Sequence, residues 1–271
     1  MGRIVEVVTG LTTAAGAVFT PLVMNAGDAL VVRATPLDKK IWLLGAWTEH
    51  RVVGQVRIRS PKLHDNVEGI RLSAQAANTS PLFPADCKQL LYPQDTLIVE
   101  QTGGGAGVID STSLLIAYED LPGLSGTFID SETLRKRGLN LVGVQVTLPA
   151  AAFGVAGGYC PPIALNAAFD LLKANTPYAL VGYLVNPEVC VVRWRGSDIG
   201  NVGIGGPGNP IEDRLTRRFF IDLSDHSGLP CIPVFNSANR AAIIIDASTD
   251  ELFVGAAIAC IVTSLFVELT P

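Results

Sequence analysis

A chain of 271 residues that is 48% hydrophobic and only 17% charged, with a mean hydropathy of +0.37, must bury much of its surface between domains or between subunits. A net charge of −5 and a pI near 5.2, with no run of Lys or Arg, exclude a basic nucleic-acid arm and argue against direct, sequence-specific genome binding. The opening MGRIVEVVTG has no long apolar core before a small-residue cleavage site, so no secretory signal is expected.

Short β-branched or alternating runs predict strands at Ile4 to Thr9, Ala29 to Ala34, Ile41 to Trp47, Val52 to Arg59, Thr96 to Gln101 and Leu114 to Tyr118. Turn-forming clusters such as TPLDKK, RSPKLHDN, NTSPLFPAD and TGGGAG separate them. SETLRKRG predicts a helix, with Ser131 as cap, Glu132 in the first turn and Gly138 ending it after Arg135, Lys136 and Arg137. NAAFDLLKANTP, from Asn166, fits helix and strand equally. Further strands are predicted at Tyr178 to Val185, Val189 to Arg195, Arg217 to Leu223, Ala241 to Asp246 and Leu252 to Val267, with IGGPGNP and SDHSGLP as loops. The last run is uncharged for sixteen residues, short of the roughly 18–20 that a spanning helix needs, and reads as one or two strands covered on both faces. Many short strands among 27 Gly and 17 Pro predict an all-β sandwich or barrel.

The chain also repeats itself. LLG at Leu43 and VRIR at Val56 return as LVG at Leu180 and VRWR at Val192, at offsets of 137 and 136. PLVMNAGD from Pro21 matches PIALNAAFD from Pro162 at 141, and TLIVEQT from Thr96 matches AAIIIDAS from Ala241 at 145. Asp120-Leu121-Pro122 faces Leu269-Thr270-Pro271 at 149. Several matches in one order, drifting as small loop insertions would make them drift, indicate an internal duplication. The repeated parts are roughly 8–123 and 146–271, which divides the chain into a first β-sandwich over 1–123, a connector over 124–141 with a short helix, and a second β-sandwich over 142–271.

Within VRIR and VRWR a period of two puts Val56 and Ile58, or Val192 and Trp194, on one face and Arg57 and Arg59, or Arg193 and Arg195, on the other. Such paired arginines serve a salt-bridged sheet face, a contact between domains or subunits, or an anionic ligand. No catalytic, cofactor-binding or metal-ligating residue is assigned. His50, His64 and His226 stand in unrelated contexts, His64-Asp65 and Asp225-His226 read as surface loops, and no cluster of metal-ligand spacing or G-x-S-x-G elbow occurs. GGGAG and GIGGPGNP lack the Lys-Ser/Thr of a phosphate-binding loop and read as hairpin loops. Cys87, Cys160, Cys190, Cys231 and Cys260 are odd in number and widely spaced, which suits buried reduced thiols, with a disulfide or metal role as the alternative.

LLG…VRIR…TLIVEQT…LLIAYEDLP set against LVG…VRWR…AAIIIDAS…SLFVELTP resembles, at the level of architecture, the tandem (double) jelly-roll major capsid proteins of icosahedral viruses. The resemblance implies two jelly-roll-like sandwiches side by side and a homotrimer with pseudo-six-fold symmetry. It further implies trimers tiling a virion shell assembled in the host cytoplasm, with other virion proteins at vertices and a possible internal membrane as contacts. Three subunits of duplicated build offer six similar edges. No enzymatic activity and no cofactor are expected. The alternative is a tandem sandwich binding module, a fibre, spike or lectin-like protein recognising a glycan or protein through an aromatic-lined groove; against it, Trp42, Trp47 and Trp194 fall in predicted strands, where core packing is the usual role.

Overall fold

The computed structural model of the chain describes residues 3–12, 18–21, 23–24, 30–48, 54–74, 82–84, 87–102, 110–124, 126–148, 159–167, 171–186, 189–208, 216–249 and 260–271. The chain is mostly β, built from antiparallel sheets. In the first half the strands are β1 (Ile4–Thr12), β2 (Thr20–Pro21), β3 (Val23–Met24), β4 (Leu30–Val31), β5 (Ile41–Thr48), β6 (Gly54–Arg59), β7 (Ile70–Ala74), β8 (Gln89–Leu91), β9 (Thr96–Gln101) and β10 (Asp110–Tyr118). Then come β11 (Thr127–Ile129), α1 (Ser131–Arg137), β12 (Gly138–Leu148), β13 (Ile163–Ala164), β14 (Pro177–Val185), β15 (Val189–Arg195) and β16 (Ile204–Pro207). Helix α2 (Phe219–Ser227), β17 (Ile232–Asn236), β18 (Ile244–Thr249) and β19 (Cys260–Leu269) complete the second half.

Each half makes two sheets. The first has the orders β3-β1-β10-β5-β8 and β2-β9-β6-β7, with β4 also on β9; the second has β11-β17-β14-β19-β12 and β13-β18-β15-β16. Setting aside β3, β4 and β11, and counting strands from the start of each half, both orders are first-eighth-third-sixth and second-seventh-fourth-fifth. Register fixes the equivalence residue by residue. Pro21 stands opposite Glu100, and the pairing of Ile163 with Ile245 puts Pro162 opposite Asp246, so the offset of 141 read from the sequence holds there. Arg57 pairs with Glu100 and Arg193 with Asp246, which makes the offset of the carboxylate strand 146 rather than 145. Leu115 stands opposite Gly45 and Leu265 opposite Gly182, which makes that of the last strand 150 rather than 149. Even the irregularity is duplicated: the ladder skips Leu44 in β5 and Val181 in β14, one bulge in each copy of the L-x-G word.

Several expectations are corrected. Arg217 to Leu223 is not a strand; Phe219, Phe220, Leu223, Ser224 and Ser227 line one helical face of α2, which Gly228 closes at φ +63°. Part of the glycine-rich loop is strand β16, because Gly205 and Gly206 lie so close to Val192, Tyr183 and Phe219 that a Cβ would collide with them. The strand read from Ala241 begins at Ile244, after a 3₁₀ turn over Ser237–Ala242. In α1 the cap is Asp130, whose side chain accepts from Thr133 N–H at 2.6 Å, and not Ser131. The second copy's first strand starts at Gly138, inside the segment read as connector, and pairs with β19 at an offset of 136 from β1, a match the sequence comparison missed. The rest of that connector supplies β11, an edge strand on β17, and α1. Strand β19 alternates buried and half-buried residues instead of being covered on both faces; 250–259, the start of that apolar run, lie outside the described residues, as do 103–109 with GGGAG. Of the segment from Asn166, the described residues with regular structure are the 3₁₀ turn Leu165–Ala167 at its start and Pro177, which opens β14, at its end.

The two halves share a seam. On β1 and β10, Ile4, Leu114, Ile116 and Tyr118 face their own sandwich, whereas Val5, Val7, Leu115 and Ala117 point the other way into the second half's core, all at 3% exposure or less. Burying a Val or Leu in full is worth roughly 1.5–3 kcal/mol, so these side chains contribute to holding the halves together. Val7 N–H donates to Gly203 O at 2.8 Å, and the hydroxyls of Thr9 and Tyr159 lie 2.9 Å apart.

Candidate functional site

The paired arginines meet a carboxylate in both halves. Val56, Ile58, Val192 and Trp194 are buried in the sandwiches, and the alternating arginines emerge on the opposite face of β6 and β15. In the first half Arg57 Nε (2.7 Å) and Arg59 Nε (2.9 Å) both donate to Glu100 Oε2, and Arg59 Nη2 reaches Oε1 at 3.1 Å. In the second, Arg193 grips Asp246 with Nε and Nη2 at 2.8 and 3.0 Å, and Arg195 Nη2 adds a bond of 2.6 Å. An aromatic ring covers each cluster. Arg57 lies 4.2 Å from the centre of Phe19, Arg193 3.1 Å from that of Tyr159. The Glu100 and Asp246 side chains are only 5% and 1% exposed. Hydrogen bonds from Arg59 and then Arg57 hold the Glu100 carboxyl below the usual carboxylate range against the opposing effect of burial. Arg195 Nε is buried with no hydrogen-bond partner among the described residues, so there the second cluster is less fully satisfied than the first.

Of the sequence readings of VRIR and VRWR, the salt-bridged face is therefore the one observed. What the sequence comparison missed was the partner: the one-residue error in the offset put Glu100 opposite Ile245 and hid the paired carboxylates. Each cluster carries two cations to one anion, and Arg71, which pairs with the exposed Glu68, adds a third guanidinium 5.4 Å from Phe19.

Chemistry-bearing residues elsewhere stay dispersed. Among the described residues no group of three His, Cys, Asp or Glu could hold a metal. His50 lies outside them. His226 is not in a surface loop but on α2, where Nδ1 lies 2.7 Å from Asp222 O, and it lines a narrow crevice at the seam with Leu44, Leu82, Phe83 and Leu223. Cys160, Cys231 and Cys260 are buried free thiols, as expected; burial raises Cys160 and pushes Cys231 up to about 11. Cys87 departs from the expectation and is exposed. Trp194 is fully buried, with Nε1 donating to Ser264 Oγ at 2.9 Å, and Trp42 and Trp47 are half-buried against the seam core. No helix of the described residues is long and apolar enough to cross a membrane.

The equivalence of the halves also exposes a face. At the register offsets above, Val5 and Val7 correspond to Leu141 and Gly143, and Leu115 and Ala117 to Leu265 and Val267. The first set is buried by the second half, but Leu141 is 67% exposed, its neighbour Leu139 57%, and Leu265 and Val267 only half-buried. The covering surface has its own uncovered counterpart: the β16 edge, with Gly203 and Asn201, corresponds to the β7 edge, with Gly69 and Val67, and Val67 is 67% exposed.

No protein-family model matches this sequence, and no curated protein matches it. Among solved structures the chain is similar to the PBSX exported protein XepA, at 10% identity over 98% of this chain and 86% of that one, with a TM-score of 0.22. A likeness that slight carries no argument about fold or function.

Proposed function

We propose that the chain is a structural virion protein, a major capsid protein made of two jelly-roll sandwiches, three copies of which form a pseudo-hexameric building block of an icosahedral shell. The strand order carries the reading: two sheets per half, with the same eight-strand interleaving twice in one chain. The seam supports it. One half's outer face is buried by the other half, while the equivalent face on the second half, with Leu139 and Leu141, is left open, as is the edge that would cover it. A head-to-tail contact that repeats the internal one uses both surfaces, and on a closing rotation it ends in a ring of six similar sandwiches from three chains. Apolar composition and few charges suit such burial.

Leu141→Asp tests the assembly. An exposed side chain contributes little to the monomer, so its melting temperature is expected to stay within about 2 °C of the parent. Trimers and larger particles, followed by analytical ultracentrifugation and electron microscopy, are expected to be lost. A parent chain that stays monomeric under all conditions, or a Leu141→Asp variant that assembles normally, refutes the reading.

A further inference from the structure

Where β1, β5 and β8 begin and β10 ends, a cleft opens between the first half, the connector and the loop before β17. It comprises two adjoining cavities of about 180 and 280 Å³ that share Arg3 and Glu119 as lining residues. Arg3, Lys40, Lys88 and Trp42 line the first cavity; Lys39 and Phe128 belong to the second. The Lys40 and Lys88 ammonium groups sit 5.7 and 5.4 Å from the Trp42 ring centre, and Lys88 Nζ also donates to Ser227 O at 2.6 Å. Among the described residues Arg3 and Lys40 have no carboxylate ion-pair partner. Among the described lining residues the one carboxylate, Glu119, is engaged by Lys40 backbone N–H at 3.0 Å, and Lys39 is paired with Asp38. In a chain of net charge −5, this is a local surplus of positive charge.

The duplication acts as an internal control on that surplus. Carried along the same registers, Arg3 corresponds to Leu139, Lys40 to Pro177, Trp42 to Ala179, Lys88 to Ile232 and Glu119 to Leu269. The same strand ends in the second half thus fold with no charge at any of these positions, and the fold itself does not require one. Gathering like charges costs free energy unless an anion answers them.

We propose that this cleft binds a phosphate-bearing polyanion. Several separated cations suit an anion with charge at more than one centre, and the Arg3 guanidinium can grip phosphate oxygens in bidentate fashion while the lysines act as point charges. Binding at this cleft does not depend on assembly, and the full chain serves to test it. Inorganic tripolyphosphate, titrated calorimetrically at low ionic strength, is expected to bind saturably and more weakly as salt rises. The double variant Arg3→Gln/Lys88→Gln is expected to weaken binding at least about tenfold, as loss of two charge-assisted contacts should. Lys136→Gln, which touches only an exposed pair with Glu132 on α1, is expected to leave it unchanged. In the parent chain, with no variant needed, tripolyphosphate should shield Lys40 and Lys88 but not Lys136 from acetylation, read by peptide mass spectrometry. Co-sedimentation with vesicles containing phosphatidylglycerol, against pure phosphatidylcholine, separates the sources: binding lost in the double variant assigns a lipid headgroup, and tripolyphosphate binding without vesicle binding assigns a soluble phosphate. Absence of saturable tripolyphosphate binding, or unchanged affinity in the double variant together with no shielding, overturns the proposal.

Discussion

Replacing Asp246 by Asn removes one negative charge and nearly no volume, so its cost isolates the electrostatics of the second arginine cluster. The carboxylate is 1% exposed and accepts three charge-assisted bonds, two from Arg193 and one from Arg195. Breaking a fully buried pair costs about 3–5 kcal/mol, because it strands the surviving charge. Here the stranded arginines keep 19% and 34% side-chain exposure and can recruit water, while the Asn carbonyl still accepts one bond. The expected loss is therefore about 2–3 kcal/mol, which for a chain of this size lowers the melting temperature by roughly 4–8 °C. Urea denaturation followed by circular dichroism measures it, with Glu68→Gln, in the exposed pair with Arg71, as the control expected to change nothing measurable. A cost for Asp246→Asn below about 1 kcal/mol, or one no larger than that of Glu68→Gln, refutes the claim that these clusters fasten the sheets.

The Glu100 carboxyl titrates below its ordinary value, so its contribution is present above the unfolded pKa and is lost as pH falls through the folded one. Thermal stability is expected to decline from about pH 4.5 downward, and Glu100→Gln to be less stable at pH 7 with a shallower acid slope; identical slopes in the two chains refute this. Alkylation at pH 8 is expected to label Cys87 within minutes and to spare Cys160 and Cys231 until denaturant is added, with mass spectrometry of peptides as the readout. Gly182→Ala places a Cβ against the backbone of Thr216 and Arg217, where neither side can yield cheaply. It is expected to cost about 2 kcal/mol or more by denaturation, and a melting temperature equal to the parent's refutes the packing argument.

How far the sequence could be read depended on whether a residue's role is local. Thr96–Gln101 and Val189–Arg195 fall where their β-branched alternation put them, because that alternation is the burial pattern itself. Arg217 to Leu223 misled because the run Phe219-Phe220-Ile221 has the composition of a strand; the spacing of Phe219, Phe220, Leu223, Ser224 and Ser227 and the closing Gly228 were the available signal. Strand β16 was illegible, since glycine is depleted in strands and was selected here by neighbours far away in the chain. The arginine pairs were visible, their carboxylates were not, and a comparison that aligned charges instead of apolar words would have found them. The basic cleft left no trace in the sequence, as Arg3, Lys40, Lys88 and Glu119 are brought together only by the ends of four different strands and their flanks.

What the two halves kept and what they changed separates the demands of folding from those of function. The bulge at Leu44 and Val181 and the Arg–Arg–carboxylate–aromatic cluster persist on both sides, though Glu has become Asp and Phe has become Tyr. A sheet face that exposes two arginines gains little from them alone, so the retention of their partner through a changed side-chain length argues that the ion cluster fastens the fourth strand of each half to its seventh. The outer faces of the first strands diverged instead: Val5 and Val7, where the other half presses close, are replaced by Leu141 and Gly143, and Arg3 by Leu139, where the surface is open in the single chain. In the proposed assembly Leu139 and Leu141 would meet a neighbouring copy on the side of the sandwich that the seam already uses.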